Sequence, residues 1–178
     1  MVKALETGLV EAAVGGDIES FGKLCRQYYA PIVAVAYSIL SDHQLAEDAA
    51  QETFARALVN LRRLKRAEKF APWLAQICRN VAKDMVEAGA RKIDREKFSI
   101  GRDSEREKGS DSIESVRRAI DKLPFSAKQL LVLRYYNDLS YEQISAVLGI
   151  SKTTINGRLT RATRKLAKYL RRDGILEC

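Results

Sequence analysis

Apolar side chains recur along this chain at steps of three and four, and no segment alternates with the period of two that a half-buried strand needs. The pattern predicts an all-α protein. Gly15-Gly16-Asp17 interrupts the first segment, and Asp17 with Ser20 is placed to cap a helix carrying Ile18, Phe21, Leu24 and Tyr28. Pro31 should kink that helix or open a new one through the apolar run IVAVAYSIL. After the turn at Ser41-Asp42, a helix from about Gln44 to Leu61 is expected to face Leu45, Ala49, Phe54, Leu58 and Leu61 inward. The stretch RRLKRAEKF comes next as a basic loop. Beyond it the core stripe of another helix reads Phe70, Trp73 or Leu74, Ile77, Val81 and Met85.

The periodicity lapses between Ala90 and Asp111, where charge, Gly and Ser dominate and apolar residues are scattered; a flexible linker is expected there. It resumes with Ser112 as a cap and Ile113, Val116 and Ile120 inward, ending at Leu123-Pro124. Ser126 and Gln129 have capping-box spacing ahead of LLVLRYY, and Asn137-Asp138 makes the next turn. This pattern predicts two small helical domains, residues 1–90 and 113–178, joined by a linker over 91–112.

The clearest pattern lies in LSYEQISAVLGISKTTINGRLTRATRKLAKYLRR, Leu139 to Arg172. Ser140 and Gln143 form a capping box, Ile144, Val147 and Leu148 share one face, and Gly149 stands where a helix end tolerates positive φ. Ser151 then caps a longer helix with Ile155, Leu159, Ala162, Leu166 and Leu170 inward. A helix, a Gly-containing turn and a second helix with a polar outer face describe a helix-turn-helix, the end of a four-helix domain.

Charge sharpens that picture. Of the net +8, +7 belongs to residues 113–178, with 13 basic and six acidic side chains, whereas residues 1–90 balance at 11 of each. From Lys152 to Arg172 eight basic residues occur with no acid among them. A solvated helix ordinarily mixes signs, because opposite charges at i,i+4 stabilise it; an unmixed cationic helix suits a polyanion. Other classes recede. No apolar run approaches a membrane span, the N-terminus lacks a signal-peptide core, and a cytoplasmic protein is expected. Three dispersed cysteines and one histidine supply neither a disulfide framework nor a zinc site, so no metal or cofactor is called for.

Asp48, Gln51 and Glu52 lie at i, i+3 and i+4 on one helix face, and by periodicity alone they are simply its solvated side. The motifs around them are informative in another way. AEDAAQETF at Ala46–Phe54, KFAPWLAQICRNVAKDMV at Lys69–Val86, LP at Leu123-Pro124, LVLRYYNDLSYEQISAVLGIS at Leu131–Ser151 and GRLTRATRKL at Gly157–Leu166 occur in one order. Together they make the chain resemble a bacterial extracytoplasmic-function sigma factor over roughly residues 17–172.

That resemblance implies a dissociable promoter-specificity subunit with no active site of its own. Its partners would be core RNA polymerase (the β′ clamp helices and the β subunit), promoter DNA and an anti-sigma factor. Asp48, Gln51 and Glu52 would contact the clamp helices. Lys65, Arg66, Lys69, Arg79, Asn80 and Lys83 would melt and hold the −10 element. Lys152, Thr153, Thr154 and Asn156 would read base edges at −35, with Arg158, Arg161 and Arg164 on phosphates. Asp84 is better suited to a structural hydrogen bond or salt bridge. Gly157, where many relatives carry Ser, leaves the −35 sequence open. The alternative is a self-sufficient helix-turn-helix regulator binding an operator as a dimer, for which AEDAAQETF has no use. An enzyme with a DNA-binding tail lacks a nucleophile with a partner.

Overall fold

The computed structural model describes residues 2–96, 116, 118–120 and 122–175. The regular structure among them is helical throughout. Helix α1 (Val2–Val14) lies against α2 (Ile18–Leu40), and α2 packs with α3 (His43–Asn60) and α4 (Phe70–Glu96) as an N-terminal bundle. Asp17 caps α2 as its position predicts, accepting from the Glu19 amide at 3.0 Å and the Ser20 hydroxyl at 2.6 Å. Pro31 is buried inside α2, which runs past it as one helix.

The bundle core is formed by Leu24, Ile32 and Val35 of α2 and by Phe70, Leu74, Cys78 and Val81 of α4. The face of α3 that meets them is built of small residues: Ala46, Ala49, Ala50, Thr53 and Ala57 are wholly buried. This corrects the expected inward face, because Leu45 and Leu58 are 44% and 43% exposed. Small side chains let helix axes approach closely, and that close packing, rather than the largest apolar residues, set the rotation of α3. The choice between Trp73 and Leu74 resolves to Leu74, with Trp73 and Ile77 only half-buried.

Helix α1 is fastened from inside. The Tyr28 hydroxyl donates to Glu6 at 2.5 Å, and the Tyr28 ring meets Phe70 edge-on at 5.6 Å. The same helix packs on the two short 3-10 turns, Leu61–Arg63 and Ala67–Lys69, that make up the basic loop.

Helix α4 continues to Glu96, into the segment expected as linker; RKIDRE is composed mostly of good helix formers. Residues 97–115, including the cap expected at Ser112, lie outside the described residues. The C-terminal part contains α5 (Phe125–Leu131), a π-helical turn (Val132–Tyr136), α6 (Tyr141–Leu148) and α7 (Lys152–Arg172). At α6 the Ser140–Gln143 capping box is present in both directions, at 3.2 and 2.8 Å, and Gly149 ends the helix at φ 68°. Ser151 caps α7 through the Thr154 amide at 3.1 Å. Ile155, Leu159 and Ala162 of α7 join Ile144, Val147, Leu130 and Leu133 in the core.

The second capping box does not form. Pro124 stands at the start of α5 without a side-chain cap bond, and Gln129 turns inward to donate to the Ser38 hydroxyl of α2 at 3.1 Å. A competing buried acceptor drew the amide away from its own helix end. Across the same junction the Tyr136 ring stacks on Tyr37 (4.8 Å, 1° between planes) and its hydroxyl lies 3.0 Å from His43 Nε2. No helix among the described residues is long and apolar enough to cross a membrane.

Candidate nucleic-acid and polymerase interface

Three surfaces collect the residues singled out in the sequence. On the first, successive turns of α3 put Asp48, Gln51 and Glu52 side by side, all exposed. They form one wall of an open groove of about 780 Å³ between α3 and α4, whose floor includes Ala55, Val81, Met85 and Ala88. Arg56 donates to Glu52 at 2.6 Å and to Asp84 of α4 at 3.2 Å, tying the two helices together. These bonds raise the Arg56 pKa, and Asp84 is indeed a salt-bridging residue. Leu45, three residues before Asp48 and seven before Glu52, continues the same face and adds exposed apolar surface.

The second surface surrounds the basic loop. Lys65, Arg66 and Lys69 are exposed on the loop, Arg66 paired with Glu68 at 2.6 Å. On α4, Gln76 donates to Asn80 at 3.0 Å and accepts from Arg79 at 3.1 Å, while Lys83 is exposed. Arg79 is half-buried, and the desolvation lowers its pKa. Not all of these residues share one site. Asn80 turns into a cavity of about 290 Å³ with Arg56, Asn60, Arg63, Trp73 and Ile77. Sequence reasoning does not mark Arg56, Asn60 or Arg63 as site residues, and it places Trp73 and Ile77 on a core stripe. A signal was available: 56, 60 and 63 and 73, 77 and 80 are two sets at helical spacing, flanking one short loop.

The third surface is the outer face of α7. Lys152, Thr153, Asn156, Arg158, Arg161 and Arg164 are exposed. Thr154 is half-buried and its hydroxyl is 2.8 Å from the capping Ser151 hydroxyl. Lys152 pairs with Glu142 on α6, which lowers the Glu142 pKa, and Tyr141 donates weakly to Asn156 at 3.4 Å. Arg161 donates back to the Gly157 carbonyl at 3.1 Å. Gly157 lies in an unbroken helix with nothing within 4 Å of where a Cβ would sit.

Residues 24–92 match the family Sigma-70 region 2, and residues 113–166 match Sigma-70, region 4. The chain is 32% identical over 177 residues to RNA polymerase sigma-H factor of Pseudomonas aeruginosa, covering 91% of this chain and 92% of that one. It is 31% identical over 144 residues to ECF RNA polymerase sigma factor EcfG of Rhodopseudomonas palustris, covering 79% and 80%. It spans 40% of the length of a longer relative, the probable RNA polymerase sigma factor RfaY of Xanthomonas campestris, at 29% identity. Among solved structures it is similar to CnrH in complex with the cytosolic domain of CnrY, with TM-score 0.60 and 24% identity over 94% of this chain and 98% of that one. It is also similar to the sigma factor RpoE in complex with the anti-sigma factor NepR from Bartonella quintana, with TM-score 0.50 and 22% identity over 84% and 97%.

The chain belongs to the extracytoplasmic-function group of the sigma-70 family. It is an alternative sigma factor, one of the DNA-binding proteins that direct transcription by RNA polymerase.

Proposed function

We propose that this sigma factor seats a helical element of core polymerase, the β′ clamp helices, in the groove between α3 and α4. The observation that carries this is the convergence of Asp48, Gln51 and Glu52 on one wall above an apolar floor. Such a groove suits an amphipathic helix that brings basic side chains to the acids. The β subunit is the second polymerase contact.

Promoter binding divides between the other two surfaces. The loop and α4 engage the −10 element, with Lys65, Arg66, Lys69 and Lys83 on the backbone and Arg79 and Asn80 nearer the bases. The 290 Å³ cavity beside Asn80 has the chemistry of a base pocket, an aromatic wall at Trp73 and amide and guanidinium groups around it. Helix α7 enters the −35 major groove with Thr153, Thr154 and Asn156 toward base edges and Arg158, Arg161 and Arg164 on phosphates. Lys152 joins the readers once its exposed pair with Glu142 parts. The protein works in the cytoplasm and leaves the chemistry to the polymerase. An anti-sigma factor is the third partner, on the strength of the complexes formed by its structural relatives.

The test is co-elution with bacterial core polymerase on a sizing column, beside a variant with Asp48, Gln51 and Glu52 changed to alanine. Co-elution by the parent alone supports the assignment. Tight, specific duplex binding without any association with polymerase overturns it.

A further inference from the structure

Helix α1 lies wholly before residue 24, where the match to Sigma-70 region 2 begins, yet it is built into the bundle. The turn Gly15-Gly16-Asp17, with Gly16 at φ 105°, doubles the chain back so that α1 packs on α2 with Val10 and Ala13 buried. The same helix packs on both 3-10 turns of the basic loop. In that loop Leu61, Leu64, Ala67 and Phe70 recur at steps of three, the period of a 3-10 turn, and all four join the apolar core. Arg62, Arg63, Lys65, Arg66 and Lys69 stand exposed between them. Neither turn has a side-chain cap, and single turns hold little shape alone, so what they pack against sets their geometry.

One polar contact ties α1 to that geometry. The Glu6 carboxylate accepts from the Tyr28 hydroxyl at 2.5 Å. Burial, together with the carboxylate beside it, pushes the Tyr28 pKa far up, so the hydroxyl stays a donor. The Tyr28 ring meets Phe70 edge-on at 5.6 Å, and Phe70 in turn lies 6.0 Å from the Trp73 ring. Phe70 closes the loop as the first residue of α4, and Trp73 walls the cavity of about 290 Å³.

We propose that α1 is a splint for the promoter loop, with Glu6 and Tyr28 as positioning residues. They touch no base, but they hold Phe70, and through it the loop and the Trp73 wall, in the shape that captures one. This rests on the −10 role proposed above for the loop and cavity. Capture of a base offsets the cost of extruding it, so a misplaced loop loses most where base pairs have still to be broken. On DNA already unpaired that cost is absent. A general loss of folded protein would instead lower activity on both kinds of template alike.

The experiment uses the full chain with core polymerase and a promoter that the parent selects from a random-sequence duplex library. That promoter is presented as a duplex and with its −10 element held open by mismatches. Tyr28→Phe keeps the ring and removes the donor, Glu6→Ala removes the acceptor, and Glu6→Gln restores an acceptor through its amide oxygen. The first two variants should form open complexes about tenfold more slowly than the parent on the duplex, and within about twofold of it on the mismatched template. Glu6→Gln should recover most of the duplex rate. In the free chain, amides of residues 61–69 should exchange with solvent about tenfold faster in Tyr28→Phe and Glu6→Ala, with residues 74–81 unchanged. Parent-like duplex rates, equal losses on the two templates, or unchanged loop exchange overturns the proposal. If the parent selects no promoter, the functional reading fails, while hydrogen exchange still decides whether α1 holds the loop.

Discussion

Arg56 is the residue with most at stake on the N-terminal bundle, because it lines both the groove and the smaller cavity. Its pairs with Glu52 and Asp84 are exposed, so Arg56→Ala should move stability by about 1 kcal/mol or less, measured by urea denaturation. The same variant should lower open-promoter formation about tenfold, whereas Asp84→Ala should weaken polymerase binding alone. Cys78 makes a different prediction. Burial pushes its thiol up to about 11 from an ordinary 9.0, so the folded chain holds the proton that the unfolded chain releases. The resulting stability is complete below pH 9 and is lost as pH climbs toward 11. Between about pH 9 and 10 the urea midpoint should fall more steeply in the parent than in Cys78→Ala. Legibility at this scale was uneven. Caps at Asp17, Ser140 and Ser151 are local bonds, and their spacing alone placed them. Gln129 had capping-box spacing too, but its partner came from a helix 91 positions away, which no local pattern could announce.

Among the elements, α7 and α3 stand at opposite ends of what periodicity reveals. The large apolar residues of α7 all point one way, so its inner and outer faces were evident. Gly157 is an open position in that helix, and Gly157→Ala should raise stability by about 1 kcal/mol, read as a higher melting temperature. Unchanged −35 affinity in that variant would exclude a close backbone approach to DNA there. Changing Arg158, Arg161 and Arg164 to alanine should weaken binding across all sequences and flatten the log–log salt dependence by about two to three units. Helix α3 misled because alanines form its buried face while Leu45 and Leu58 lie outside it. Its polar stripe reads as plain solvated surface by periodicity, and only the family motif pointed to a partner there. The cavity near Trp73 was hidden for another reason: a loop bend brings two helical faces together, and each looks ordinary alone.

On the scale of the whole molecule, the two halves share one continuous apolar core, so each half supports the other's stability. Calorimetry should show a single unfolding transition for the parent and two for Gln129→Glu, as the charged side chain uncouples the halves. The halves and their order could be read from composition and charge, but the seam between them could not, since its shared core, buried bond and ring stack join residues far apart in sequence. The Ser38–Gln129 bond also limits how such proteins can exchange parts. Ser38 has a second partner in the Val35 carbonyl and tolerates the loss of Gln129, whereas the Gln129 amide relies on Ser38 as its acceptor. Grafting a foreign C-terminal half onto this N-terminal half should therefore be benign. The reciprocal graft, onto a relative with an apolar residue in place of Ser38, should strand a buried amide, making module swaps to retarget promoters work better in one direction than the other.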